Sequence, residues 1–205
     1  MRAAIVVCVL TCLVTPLACA RVGGAEAVDR WLSELYPDGE PGAAVIVKRG
    51  DDVILRKGYG TANLEWGLPI SPQTVFRLAS ISKQFTAVAV LSLVQEGRIA
   101  LDDPVSKYLP DIHEPATVEH LLTHTSGLRS LARAPGFPLW LKVELKPREV
   151  VGLFQDQPRT FAPGEGWEYS DAGYIELGLL IEAVAGMSYE AFIRCLLYTS
   201  DAADE

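Results

Sequence analysis

Ser80 and Lys83, in the stretch Leu78-Ala79-Ser80-Ile81-Ser82-Lys83-Gln84-Phe85, are the residues of this chain best placed to do chemistry. Three residues apart on a helix, two side chains share a face with Cβ atoms roughly 5–6 Å apart, so an amine lies within reach of a hydroxyl. An aliphatic hydroxyl is a weak nucleophile until a neighbouring base takes its proton. A lysine serves as that base when burial or nearby positive charge pulls its pKa well below the free value of about 10.4. The first turn of a helix adds free backbone N–H groups and the positive end of the dipole, both favourable to an anion. The pair reads as a nucleophile and its activator. The spacing alone also fits a helix-capping serine beside a solvated lysine. The next segment decides between them: Phe85 to Val94 is apolar nearly all round, with Thr86 and Ser92 as the polar exceptions. A helix of that kind is buried, which puts Ser80 and Lys83 at the mouth of a buried central helix, too short to span a bilayer.

A second group is Trp167-Glu168-Tyr169-Ser170-Asp171-Ala172-Gly173-Tyr174, behind the turn sequence Pro163-Gly164-Glu165-Gly166. A tyrosine in a loop just ahead of a helix can present its phenol to a pocket. A neighbouring cation favours the phenolate, so such a group can shuttle protons as base and acid. The plainer reading is a loop tyrosine buried with its hydroxyl bonded. A third group is His120-Leu-Leu-Thr-His124-Thr125-Ser126-Gly127-Leu128. The i, i+4 histidines have a zinc-compatible spacing. No His-Glu-x-x-His string is formed, however, and His113 is followed by Glu114-Pro115. The segment reads as a helix end with polar turn residues, and no metal or cofactor is expected.

These groups need elements to position them. Ala25 to Leu35 has Val28, Trp31, Leu32 and Leu35 at helical spacing, and Pro37-Asp38-Gly39 ends it. Ala43 to Lys48 and Val53 to Tyr59 flank Arg49-Gly50-Asp51-Asp52, the pattern of a β-hairpin. A loop through Gly67, Pro69 and Pro72 leads to the helix at Ser80, and the rest reads as helix and loop. Thr117 caps a short helix through Leu122, Pro147-Arg148-Glu149 starts one running to Phe154, Asp171 or Ala172 opens an apolar helix, and Ser188 caps the last. Strands followed by helices predict an α/β part, residues 21–79, and a mainly helical part, residues 80–194.

Both ends are expected to fall outside the fold. Met1-Arg2, the apolar run Ala3 to Val14 and Ala18-Cys19-Ala20 have the order of a secretory signal peptide over residues 1–20. This predicts a secreted or periplasmic protein. An acylated Cys19 is the lipoprotein alternative, disfavoured by Pro16, and no other membrane attachment is expected. Residues 195–205 resemble the in-frame translation of a transposon-based sequencing adapter, so the natural reading frame is expected to stop at Arg194. The four cysteines are Cys8, Cys12, Cys19 and Cys195, so residues 21–194 must be held by their core without disulfides. Removing Arg2 and the tail acids Asp201, Asp204 and Glu205 takes 18 basic and 26 acidic side chains (net −8) to 17 and 23, net −6. A mildly acidic chain without a Lys/Arg cluster argues against nucleic acid and anionic membranes as partners.

The strings Phe76 to Pro110, His120 to Leu128 and Tyr169 to Tyr174, in that order and spacing, resemble the serine β-lactamase and penicillin-binding superfamily. They are most similar to class C β-lactamases and the related esterases and D-amino-acid peptidases. The resemblance covers residues 40–194 and implies the N-terminal portion of a β-lactamase/transpeptidase-like fold. It further implies an acylated Ser80 whose backbone N–H is half of an oxyanion hole, Lys83 as its activator, and Tyr169 as the group that protonates the leaving group. The class C motif Tyr-x-Asn appears here as Tyr169-Ser170-Asp171, so the substrate-contacting amide is replaced by the Asp171 carboxylate. The third motif of the family would fall beyond Arg194. The implied function is an exported serine hydrolase acting on a small-molecule or peptide substrate with an amide, lactam or ester carbonyl, inactive as this chain. A D,D-carboxypeptidase and a non-hydrolytic penicillin-recognising module are the alternatives.

Overall fold

A computed structural model describes residues 24–112, 115–133, 137 and 142–198. The signal-like segment 1–20, His113 and residues 199–205 of the adapter-like tail lie outside the described residues. The chain divides into two compact units, one up to Arg77 and one from Leu78.

In the first unit, α1 (Ala25–Leu35) buries Leu32 and leaves Trp31 and Leu35 exposed. Strands β1 (Ala43–Arg49) and β2 (Asp52–Tyr59) pair antiparallel from Ala43↔Tyr59 to Arg49↔Asp52, with an irregularity between Val47 and Lys48. The turn at Gly50 needs a positive φ, here 59°, which glycine adopts without penalty. Asp29 of α1 ties the helix to β2: its Oδ1 accepts from Lys57 Nζ at 2.7 Å and from Tyr59 Oη at 2.8 Å. Burial first, then the Asp29 carboxylate, push the Tyr59 phenol up to about 12. The segment expected to be loop contains a second small pair, β3 (Thr61–Asn63) with β4 (Leu68–Pro69).

In the second unit the regular elements among the described residues are helices, joined by loops and one isolated bridge between Pro104 and Thr117. Its helices are α2 (Ser82–Gln95), α3 (Val118–Leu122), α4 (Pro147–Gly152), α5 (Asp171–Ala185) and α6 (Tyr189–Tyr198). Local sequence sets their ends. Thr117 and His120 form a reciprocal cap on α3, Pro147 opens α4 where its missing N–H costs nothing, and Ser170 Oγ accepts from Gly173 N at 3.3 Å to cap α5. Gly186, at φ 71°, closes α5 in the left-handed conformation.

The centre of this unit is α5, which packs against α2, α3, α4 and α6 and buries Leu177, Leu180 and Ile181 completely. Val90 and Leu93 of α2, Val118 and Leu121 of α3, and Val105 and Leu109 between them complete the core. This corrects the expectation of a fully buried α2. One face of α2, with Ala89, Val90 and Leu93, is buried, whereas Val88 is 53% and Leu91 48% exposed. Apolar periodicity fixes which residues seek cover, and within this unit the helix packs along one stripe only. At the other end of the unit, α6 lays Phe192, Ile193 and Leu196 partly against the core, while Cys195 and Tyr198 are exposed.

Candidate active site

Ser80 lies in a single 3-10 turn, Ala79–Ile81, that runs directly into α2. The expected first turn of a long helix is thus a tighter turn preceding it. Ala79 takes φ 48°, a left-handed conformation costing an alanine ~1–2 kcal/mol. Ser80 stays exposed at the head of α2, where backbone N–H groups lack intrahelical partners. Lys83 is on the first turn of α2, and its Nζ donates to Ser80 Oγ at 3.4 Å.

Tyr169 comes from the loop ahead of α5, one residue before the Ser170 cap. Its Oη is 2.6 Å from Ser80 Oγ. Asp171, the first residue of α5, accepts from Lys83 Nζ on Oδ1 at 3.2 Å and from Ser130 Oγ on Oδ2 at 2.9 Å. All four residues singled out from sequence therefore meet in one network, Ser130–Asp171–Lys83–Ser80–Tyr169. Ser80 Oγ thus accepts from Lys83 Nζ and shares a hydrogen bond with Tyr169 Oη in which either oxygen can donate.

The electrostatics depart from the expected depressed lysine. Burial is the largest single influence and lowers the Lys83 pKa, but Tyr169 and Asp171 together outweigh it, and the net shift is upward. Lys83 is held as a cation, its Nζ 4.8 Å from the Tyr169 ring centre and 5.6 Å from that of Tyr174. As an ammonium it can stabilise negative charge on Ser80 Oγ. The phenol of Tyr169 is the other group in hydrogen-bond contact with Ser80 Oγ.

Around this network, the Tyr169 side opens into a cleft of about 730 Å³ lined by Ser130, Arg133, Phe161, Trp167 and Tyr169 among others. Trp167 is 66% exposed there, and Arg133 pairs with Glu168 at 2.7 Å.

A family model for Beta-lactamase matches residues 28–201. The chain belongs to the beta-lactamase family. Its fold is the β-lactamase/transpeptidase-like one. This family member is 32% identical to penicillin-binding protein 4* of Bacillus subtilis strain 168, over 75% of the chain and 35% of that relative. It is 35% identical to esterase EstB of Burkholderia gladioli, over 76% of the chain and 44% of that relative. Among solved structures, it resembles the octameric penicillin-binding protein homologue from Pyrococcus abyssi at 40% identity and TM-score 0.65, covering 75% of this chain and 37% of that one. The chain thus spans well under half the length of the curated relatives it matches.

Two residues at the site were not read as functional from sequence. Ser130, which anchors Asp171, had no signal beyond lying just after Gly127-Leu128-Arg129. His124, read as part of a helix end, stands beside Tyr169 with its ring centre 4.8 Å away. Its neighbour His120 is occupied by the α3 cap, its Nδ1 accepting from Thr117 N, so the two histidines of the i, i+4 pair serve separate local structures. No cluster of metal-binding side chains occurs among the described residues.

Proposed function

We propose that Ser80 is the nucleophile of an exported serine hydrolase that acts through an acyl-enzyme on amide, lactam or ester carbonyls. The observation that carries this reading is the position of Ser80 Oγ, 2.6 Å from Tyr169 Oη and 3.4 Å from Lys83 Nζ. Membership of the beta-lactamase family supports it, as do relatives named as a penicillin-binding protein and an esterase.

In the acylation step, Ser80 Oγ bonds to the carbonyl carbon and the carbonyl electron pair moves onto its oxygen. The Ser80 proton passes to Tyr169 Oη as the phenol gives its own proton to the leaving group, whose bond to carbon then breaks. Water reverses the relay: it attacks the acyl carbon, its proton passes to Tyr169, and Ser80 Oγ leaves with the phenol proton. Lys83, held as an ammonium by Asp171, stabilises the developing charge on Oγ. The Ser80 backbone N–H supplies one oxyanion contact. Asp171 keeps a partly exposed edge toward substrate, with both oxygens already engaged by Lys83 and Ser130. A carboxylate so occupied is a poorer partner than an amide for a lactam side chain, which favours ester or peptide substrates over penicillins.

Residues 1–20 support export to the periplasm or beyond. On its own this chain turns over little or no substrate. It spans less than half of its relatives, and the larger sheet among the described residues has two strands, marginal by itself. The test is turnover of a short-chain nitrophenyl ester, a penicillin and a chromogenic cephalosporin, by this chain and by a protein extended to the length of its relatives. Ester turnover by the extended protein, lost in Ser80→Ala, is the expected result. Acylation by penicillin without release would favour a penicillin-recognising module instead.

A further inference from the structure

His124 is the residue of the His120–Leu128 segment that the proposed mechanism leaves unused, and its geometry is unusual. It is one of two non-glycine residues with positive φ among the described residues, at 62°. That conformation turns its imidazole under the loop that carries Tyr169. The ring centre lies 4.8 Å from that of Tyr169 and 5.2 Å from that of Tyr174, both tilted, and 6.1 Å edge-on from that of Trp167. Its Nδ1 accepts from the Ser170 backbone N–H at 3.2 Å, and its carbonyl accepts from Glu168 N at 3.0 Å. The residues on both sides of Tyr169 are therefore hydrogen-bonded to His124, and the phenol ring rests on its imidazole.

We infer that His124 is a positioning residue, whose neutral imidazole clamps the Glu168–Ser170 loop and so sets the Tyr169 hydroxyl over Ser80. The inference rests on the role given above to Tyr169. The hydrogen bond from Ser170 requires an unprotonated Nδ1, so the ring hydrogen belongs on Nε2. Protonation would place a donor against a donor and break the clamp. The surroundings keep the ring neutral: burial first, then the Lys83 ammonium, lower its pKa, outweighing the Asp171 carboxylate. The groups facing it are Tyr169 and Glu168 from the loop, Lys83 from α2, and Asp171 and Tyr174 from α5. Lys83 is the cation among them, and Asp171 and Glu168 are themselves paired with Lys83 and Arg133. As pH falls through the His124 pKa, the loop should release and Tyr169 should leave Ser80.

Ring-nitrogen and tyrosine NMR on the whole chain tests this without requiring Ser80 to react. The expected spectrum shows His124 with its hydrogen on Nε2, a protonation midpoint below that of a free imidazole, and Tyr169 ring signals that step at the same midpoint. His124→Phe keeps an aromatic ring and removes the acceptor, so it should displace the Tyr169 signals and abolish the step. His124→Asn supplies an acceptor tolerated at positive φ and should return those signals toward wild type, again without the step. A hydrogen found on Nδ1, or Tyr169 signals that ignore the His124 titration, would overturn the inference, and both can be read on the unmutated chain. If the coupling is present while Ser80 resists covalent labelling, the clamp stands and the hydrolase reading fails.

Discussion

Lys83 Nζ and Asp171 Oδ1 stand 3.2 Å apart, an ion pair that links the first turn of α2 to the first residue of α5. The pair decides what Lys83 does. Tyr169 and Asp171 both favour the ammonium, and in the proposed mechanism Ser80 hands its proton to Tyr169. In Asp171→Asn the burial that already lowers the Lys83 pKa would act with less opposition, and the lysine should lose its proton at lower pH. The alkaline limb of the pH profile for covalent labelling of Ser80 should then move toward neutrality. An unchanged profile would mean that Asp171 does not hold the lysine charge.

Tyr169→Phe removes the proton relay and keeps the ring on His124. Labelling of Ser80 by a phosphonate should slow by about 10²–10⁴, the usual worth of a general acid–base group. The thermal midpoint should be nearly unchanged, because Tyr169 is already 37% exposed. A slowing under threefold would remove Tyr169 from the mechanism.

Gly127 shapes the turn behind His124. It has φ 77°, and a Cβ there would lie 2.0 Å from the carbonyl oxygen of Phe161. The opposing loop is backbone at that point, and Gly127 O accepts from Thr160 N at 3.0 Å. Gly127→Ala should lower the unfolding free energy read from urea titration by the ~1–2 kcal/mol of a left-handed alanine plus the cost of moving the Phe161 backbone.

Asp103 is held at about 2, below its ordinary 3.8, first by Lys107 and then by the Tyr108 hydroxyl and the Ala100 N–H. Because the folded value is the lower one, its stabilising contribution is complete above about 3.8 and is lost as pH falls through about 2. Asp103→Asn should flatten the acid limb of the stability curve in that window. Equal acid sensitivity in the variant and the parent would contradict this.

The Ser80–Lys83 pair was legible because both residues lie within one helical turn, where spacing alone fixes proximity. The caps at Thr117 and Ser188 were equally local. Tyr169 and Asp171 needed the resemblance to a known family, since nothing in their own string brings them to Ser80. Ser130 and His124 stayed hidden because their bonds to Asp171 and Ser170 cross 41 and 46 residues. The β3–β4 pair was missed because Gly67 and Pro69 read as breakers in strands of three and two residues. The direction of the Lys83 shift was also out of reach, since it depends on a carboxylate 88 residues away.

Peptide mapping after treatment of this chain with a fluorophosphonate reads the reactivity of Ser80 itself. Phosphonylation requires only a nucleophilic serine, so it reports on Ser80 even where turnover is absent. One modified serine is expected, Ser80, with no label in Ser80→Ala and slower labelling in Tyr169→Phe. A label distributed over Ser82, Ser92 or Ser130, or an unlabelled Ser80 in a folded chain, would contradict it.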